Sequence, residues 1–200
     1  MNEMHLVMHG LAIKKHASPE DVAAILGLDC DDVRETLTKL VAAKRAVEVK
    51  GRYMLAPAAR MLLDADYSRY YDAERANPAF QAGYAGFERL NGSLKQLITD
   101  WQTISVRAEQ VPNDHSDKDY DLKIIDRLGD LHERVEPIIN QLASALPRMA
   151  IYGAKLAAAL EKAEAGAIAW VSDAKIDSYH TVWFELHEDL LRLMRRERTE

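Results

Sequence analysis

The sequence predicts a mainly α protein, in which a small N-terminal domain with one β-hairpin precedes an antiparallel helical bundle. Apolar residues recur at helical spacing through most of the chain after Pro78. After Arg45 the period changes to two, in AVEV and RYML, which flank a tight turn at Lys50-Gly51. A polar, tyrosine-rich segment that ends at Pro78 separates the two patterns. We therefore predict domains at residues 1–65 and 79–200, joined by a linker at 66–78.

Composition excludes several classes of protein. The chain has 200 residues, of which 48% are apolar, and its net charge of −6 gives no overall attraction to nucleic acid or acidic lipid. Cys30 is the only cysteine, so no intrachain disulfide can form. The first residues lack the pattern of a signal peptide, and the uncharged runs are too short to span a membrane. We expect a soluble, cytoplasmic protein without a cofactor.

The elements of the N-terminal domain follow from local signals. A first helix ends near His16, and Ser18-Pro19 begins a second, with acidic residues in its first turn. The second helix stops at Gly27, and a short turn leads to the third. One buried face of the third helix is formed by Val33, Leu37, Leu40 and Val41. With the hairpin and a further helix in APAARMLL, this is the order of a winged helix-turn-helix.

Residues 18–60, from SPEDVAAIL to APAAR, resemble the winged-helix core of bacterial MarR-type regulators. The family commonly closes this core with a Thr-Pro-Ala-Gly-Arg-like turn, whereas this chain has Ala56-Pro57-Ala58-Ala59-Arg60. The resemblance implies a DNA-binding transcriptional regulator that forms a homodimer. It also implies an effector in the helical domain that changes the spacing of two winged helices.

A winged helix binds DNA with the start of its third helix in the major groove and its wing beside a phosphate strand. The expected DNA contacts are Arg34, Thr38, Lys39, Lys44 and Arg45 on the helix and Lys50 and Arg52 on the wing. The same helix presents Asp31, Asp32 and Glu35, which would face a polyanion. The aspartates have a simpler interpretation, in which Asp29 or Asp31 caps the helix and its neighbours complement the helix dipole.

The C-terminal domain is predicted to contain at least four helices, and long helices with short loops favour an antiparallel bundle. The first covers residues 80–106, and the second starts near Asp117 and is kinked or restarted at Pro137. The third runs from Pro147 to just before Gly166, and the last covers residues 177–197. On the last helix an apolar face includes His180 and His187, and the polar side is predicted to be formed by Glu185, Glu188, Asp189, Arg192 and Arg196.

The histidines of this domain have two interpretations. They are core or boundary residues bonded to neighbouring polar groups, or they line a small-molecule or partner pocket with aromatic walls. The candidate pocket residues are Trp101, His115, Tyr179, His180, Trp183 and His187. Because His180 and His187 lie two helical turns apart, about 10 Å, they cannot share one metal ion, and we predict no metal site.

A second resemblance rests on segments from both predicted domains. The winged helix together with NDHSD, residues 113–117, and DSYHTVWFELHEDLL, residues 177–191, is similar to actinobacterial proteins associated with pyruvate phosphate dikinase-like phosphotransferases. It implies the alternative function, a non-catalytic accessory subunit of such an enzyme that does not bind DNA. No catalytic motif is present, and the aspartates around Cys30 oppose a reactive thiolate, so stand-alone catalysis is not expected.

Overall fold

The computed structural model describes residues 3–106 and 109–197, and over these residues the chain is mainly helical, as the sequence predicts. Residues 1–2, 107–108 and 198–200, which the sequence analysis assigned to the two domains, lie outside the described residues. In the described part of the chain, no helix is long and apolar enough to cross a membrane. The helices are α1 (Glu3–Lys14), α2 (Pro19–Leu26), α3 (Cys30–Ala42), α4 (Pro57–Tyr70), α5 (Asp72–Ala76), α6 (Pro78–Gln102), α7 (Lys118–Ala145), α8 (Ala150–Glu164), α9 (Ala169–Ser172) and α10 (Tyr179–Met194). The strands are β1 (Ala46–Val49), β2 (Arg52–Leu55), β3 (Thr103–Val106) and β4 (Glu109–Pro112).

The chain divides into two compact units whose limits differ from the predicted domains. Unit 1 combines Met1–Asn77 with Glu185–Glu200, and unit 2 is Pro78–Phe184. The segment predicted as a linker, residues 66–78, is helical and contains the end of α4, all of α5 and the start of α6. The side chains of Tyr67 and Tyr71 are buried, so this segment contributes to a core and is held in place as helix.

Local signals fix the first half of unit 1. The Ser18 hydroxyl and the Asp21 carboxylate form a capping box at the start of α2, and Gly27 ends that helix in the left-handed conformation (φ 68°). Asp29 caps α3 by accepting from the backbone amides of Asp31 and Asp32 at 2.8 and 3.3 Å. Capping of α3 by an aspartate is thereby confirmed, with Asp29 in that role.

The β1–β2 hairpin is antiparallel, with Val49 opposite Arg52. Lys50 and Gly51 form its two-residue turn with φ values of 53° and 76°, as a type I′ turn requires. A third backbone segment joins the sheet, because Ala17, between α1 and α2, forms a β-bridge with Tyr53. The amide of Ala17 donates to the Tyr53 carbonyl at 3.0 Å, and the amide of Tyr53 donates to the Ala17 carbonyl at 2.7 Å.

Unit 2 is organised around α7. Helices α6 and α7 run antiparallel, because Gly83 near the start of α6 lies against Leu142 near the end of α7, while Asp100 pairs with Arg127 at the opposite ends. A Cβ at Gly83 would lie 2.8 Å from the Leu142 side chain, so glycine permits this close approach. Helix α7 also packs on α8 and continues through Pro137.

The prediction of one helix over residues 80–106 is wrong at its end. Helix α6 stops at Gln102, and Thr103–Val106 pairs with Glu109–Pro112 as a second antiparallel hairpin. The β-branched residues of TISV favour an extended backbone, and pairing with β4 satisfies the backbone groups that the helix no longer satisfies.

Candidate functional site

The residues predicted to contact DNA lie on the exposed face of α3, in the turn that follows it and on the β1–β2 hairpin. Lys44 and Arg45 were predicted on the third helix, which is wrong, because α3 ends at Ala42 and both residues lie in the turn before β1. Three of these cations are already engaged by acids of the same unit. Arg34 pairs with Asp31 and with Glu20, the latter at 3.0 Å. Lys39 pairs with Glu35 at 2.6 Å. The face of α3 therefore carries alternating charges that largely compensate one another.

The hairpin shows the same compensation. The Arg52 guanidinium contacts the Asp21 carboxylate at 3.1 Å and donates to the His16 carbonyl at 2.8 Å. Arg45 is half-buried, and its guanidinium lies 3.4 Å from the sulfur of Met4. Two of the predicted cations, Lys44 and Lys50, are exposed and form no ion pair with any residue that the structure describes.

These contacts shift the titration of the paired groups toward their charged forms. A hydrogen bond from Lys39 lowers the pKa of Glu35, and the same contact raises the pKa of Lys39. The hydrogen bond to Glu20 raises the pKa of Arg34. Thr38 is also occupied, since its hydroxyl donates to the Arg34 carbonyl at 2.9 Å. All of these groups lie at the surface, where such pairs contribute little and exchange readily.

The hairpin also exposes apolar side chains. Val47 and Val49 are 46% and 47% exposed and lie on the same face of β1, since they are two residues apart in a strand. The two valines form a small apolar patch beside the charged residues of the hairpin.

The structure distributes the predicted pocket residues over separate positions. Ring contacts join Trp101 to His115 at 4.5 Å between centroids and Tyr179 to Trp183 at 6.2 Å. Among the described residues, no ring contact or hydrogen bond joins one of these pairs to the other. His187 is buried and belongs to unit 1, whereas the other five belong to unit 2.

The Trp101 and His115 pair is part of a hydrogen-bonded cluster at the start of α7. The Asn113 amide donates to the buried Asp121 carboxylate at 3.0 Å and to the Trp101 carbonyl at 3.1 Å. His115 Nδ1 lies 3.0 Å from the same carboxylate, so Nδ1 carries the proton and Nε2 is the acceptor in the neutral ring. These hydrogen bonds hold the loop that precedes α7 in place. The side chain of His115 is 27% exposed.

The Tyr179 and Trp183 pair belongs to the core of unit 2. Trp183 donates from its indole nitrogen to Asn91 at 3.0 Å, and the Tyr179 hydroxyl lies 3.2 Å from His132 Nδ1. Burial raises the pKa of Tyr179 and lowers the pKa values of His132 and His180. Tyr179 and Trp183 are thus core residues, and the half-buried His132 and His180 lie at the boundary of the core.

The polar side predicted for the last helix is wrong at two positions. Glu185 and Asp189 are buried, at 5% and 0% exposed, whereas the apolar side chain of Phe184 is 36% exposed. Glu185 pairs with Lys14 of α1 at 2.7 Å, and Asp189 lies 3.0 Å from Nε2 of His9. The carboxylates are buried because their partners come from the first helix of the chain.

His9 completes a chain of hydrogen bonds that the sequence analysis missed. Its Nδ1 lies 2.6 Å from the hydroxyl of Tyr67, and all three side chains, of His9, Tyr67 and Asp189, are buried. Burial raises the pKa of Tyr67, so its phenol stays protonated. On the other side of the ring, Nε2 of His9 donates to the Asp189 carboxylate. This arrangement holds the end of α10 against α1 and α4 within unit 1.

The structure also bears on the reactivity of Cys30 and on metal binding. Desolvation and then the Glu20 carboxylate raise the pKa of the Cys30 thiol, which opposes a reactive thiolate. Within residues 3–106 and 109–197, no group of three or more histidine, cysteine or acidic side chains is arranged to hold a metal ion.

Comparison of the chain with protein-family models, with curated proteins and with solved structures found no match.

Proposed function

We propose that residues 1–65 form a winged helix and that the protein is a DNA-binding transcriptional regulator. The observation that supports this most is the bridge between Ala17 and Tyr53, which adds the segment between α1 and α2 to the β1–β2 hairpin. A winged helix has this connectivity, and it orients the hairpin beside the third helix.

In this proposal α3 enters the major groove and the hairpin lies along a phosphate strand. Lys44 and Lys50 contact phosphates directly, since both are exposed and have no ion-pair partner in the described part of the chain. Arg34 and Lys39 exchange their carboxylate partners for DNA, because ion pairs at the surface contribute little to stability. Asp31 and Asp32 remain beside the groove, so we expect few phosphate contacts and a shallow dependence of affinity on salt.

The test is binding to a labelled duplex from the region upstream of the protein's own gene, at low salt. The variant Lys44→Glu/Lys50→Glu removes two cations without breaking an ion pair, and we expect it to lose at least tenfold in affinity. A matched control, Lys95→Glu/Lys123→Glu, changes the net charge equally on exposed positions of α6 and α7 and is expected to bind almost as the unaltered protein does. If the two variants lose affinity equally, the contacts assigned to the hairpin are wrong. If the unaltered protein shifts no DNA, the regulator function is wrong.

A second candidate function is a non-catalytic winged-helix subunit of an ATP-dependent phosphotransferase that contacts protein rather than DNA. The compensated charges of α3 and the exposed Val47 and Val49 favour it, because a protein interface needs apolar area more than net positive charge. The change Val47→Asp/Val49→Asp should then abolish co-purification of a partner and leave any DNA binding within about twofold. Loss of DNA binding with no effect on a partner would favour the regulator. Sedimentation equilibrium tests the proposed homodimer.

A further inference from the structure

Unit 1 contains two neighbouring cavities that share the side chains of Asp64 and Arg192. The first, of about 220 Å³, lies among α1, the end of β2, α4 and α10. The second, of about 450 Å³, continues along α4 and the end of α10. Neither includes a residue assigned above to DNA binding.

The first cavity has an apolar floor. Leu11 and Ala12 of α1, Leu55 of β2 and Leu63 of α4 line it, and each of these side chains is buried. The floor therefore accepts a ring or a short aliphatic chain. Polar groups stand at its edge, where Lys15, Arg60 and Arg192 are found.

The arginines around the two cavities differ from those of α3. Arg60, Arg195 and Arg196 are exposed, and none of them forms an ion pair with a residue that the structure describes. Arg192 pairs with Glu188 at 2.7 Å, but its Nε is buried and has no hydrogen-bond partner in the described residues. The exposed arginines are therefore available to bind an anion.

The charge of the lining supports the same conclusion. Five cationic side chains face three acidic ones, so the two cavities together carry two positive charges in a chain whose net charge is −6. Two of the acids, Asp64 and Glu188, are the neighbours of Arg192 and orient its guanidinium. The excess of two matches a dianion better than a monoanion.

We propose that this groove binds a small organic phosphate, with its apolar body in the first cavity and its phosphate group beside Arg192, where the two cavities meet, flanked by Arg60 of the first cavity and Arg196 of the second. Guanidinium groups bind phosphate oxygens through paired, charge-assisted hydrogen bonds. Burial of the apolar body supplies the remaining affinity and distinguishes such a ligand from free phosphate. The proposal does not depend on DNA binding.

The experiment is isothermal titration of the full chain with phenyl phosphate as the probe, in the absence of DNA. Benzoate and inorganic phosphate serve as probes that each lack one part of the ligand. We expect phenyl phosphate to bind at least tenfold more tightly than either. Equal affinity for inorganic phosphate would overturn the apolar subsite, and equal affinity for benzoate would overturn the preference for phosphate.

Substitutions of the lining arginines test whether phenyl phosphate binds in this groove. Arg60→Gln and Arg196→Gln should each weaken phenyl phosphate binding about tenfold, since each removes a charge-assisted hydrogen bond. Arg89→Gln, an exposed arginine of α6 in unit 2, is the matched control and should leave binding within twofold. If all three variants bind alike, or if the unaltered chain does not bind phenyl phosphate, the proposal is wrong. Circular dichroism of each variant separates a loss of binding from a loss of folding.

Discussion

The chain of hydrogen bonds through His9 gives the most quantitative test of how unit 1 is held together. The change His9→Phe keeps a buried ring but removes the contacts to Tyr67 at 2.6 Å and to Asp189 at 3.0 Å. Losing a hydrogen bond to a buried carboxylate costs about 1.5–3 kcal/mol, and loss of the tyrosine hydrogen bond adds about 1 kcal/mol. We therefore expect His9→Phe to lower the free energy of unfolding by about 2.5–4 kcal/mol.

The double variant His9→Phe/Asp189→Leu measures the interaction energy between the two residues, apart from what each contributes alone. Replacing both partners with apolar groups removes the buried carboxylate together with its His9 donor, so the double variant should be more stable than the sum of the two single effects predicts. We expect a coupling energy of about 2 kcal/mol. His16→Phe, at an exposed position of the same unit, is the control and should change stability by less than about 0.5 kcal/mol.

The measurement is urea unfolding followed by far-ultraviolet circular dichroism, together with hydrogen exchange of the amides of α1 and α10. Tryptophan fluorescence does not report on this unit, because Trp101, Trp170 and Trp183 all belong to unit 2. A loss below about 1 kcal/mol for His9→Phe, or strictly additive effects in the double variant, would refute the assigned role of the pair.

Three further predictions concern single positions. Asp29→Ala should destabilise unit 1 by about 1 kcal/mol through loss of the α3 cap, measured by the urea midpoint; an unchanged midpoint would contradict that role. Gly83→Ala should lower the free energy of unfolding by about 1–3 kcal/mol, because the new Cβ meets the buried Leu142. Gly92→Ala in the same helix meets nothing within 4 Å and should raise the free energy of unfolding by about 0.5–1 kcal/mol. If tryptophan-detected unfolding shows that both changes shift stability in the same direction, the packing argument is refuted. Burial lowers the pKa of His132 in the folded state, so the unfolded chain binds the proton first and stability falls as pH drops below about 6.5. His132→Gln should flatten this decline between pH 7 and pH 5, and an unchanged slope would show that other groups cause it.

The elements that the sequence predicts well are those with local causes. The helix start at Ser18-Pro19, the helix end at Gly27 and the turn at Lys50-Gly51 each depend on residues within a few positions, and the structure has all three where the sequence predicts them. The third long helix is also confirmed, as a short 3-10 turn at Pro147–Met149 followed by α8. In these cases backbone preference and side-chain chemistry agree.

The features that the sequence analysis missed depend on distant partners. Glu185 and Asp189 were interpreted as solvated because isolated carboxylates stay at the surface. Their burial requires Lys14 and His9, and His9 and Asp189 are 180 residues apart. Helical periodicity cannot reveal such a pair, since it shows which face is apolar but not which cation of another helix will lie against a carboxylate. Pairing of β3 with β4 is missed for a similar reason, because the short TISV run continues the helical pattern of α6.

The discontinuity of unit 1 bears on how the protein is made. Its first 77 residues leave the ribosome well before Glu185 and Asp189, and at 5–20 residues per second the 180 residues between His9 and Asp189 take about 10–40 s to translate. Throughout that interval the nascent N-terminal segment lacks the acidic partners of His9 and Lys14. Unit 2, which is contiguous in sequence, can finish folding first. The N-terminal unit is thus the last to mature, and during synthesis it is the part of the chain most dependent on protection from aggregation.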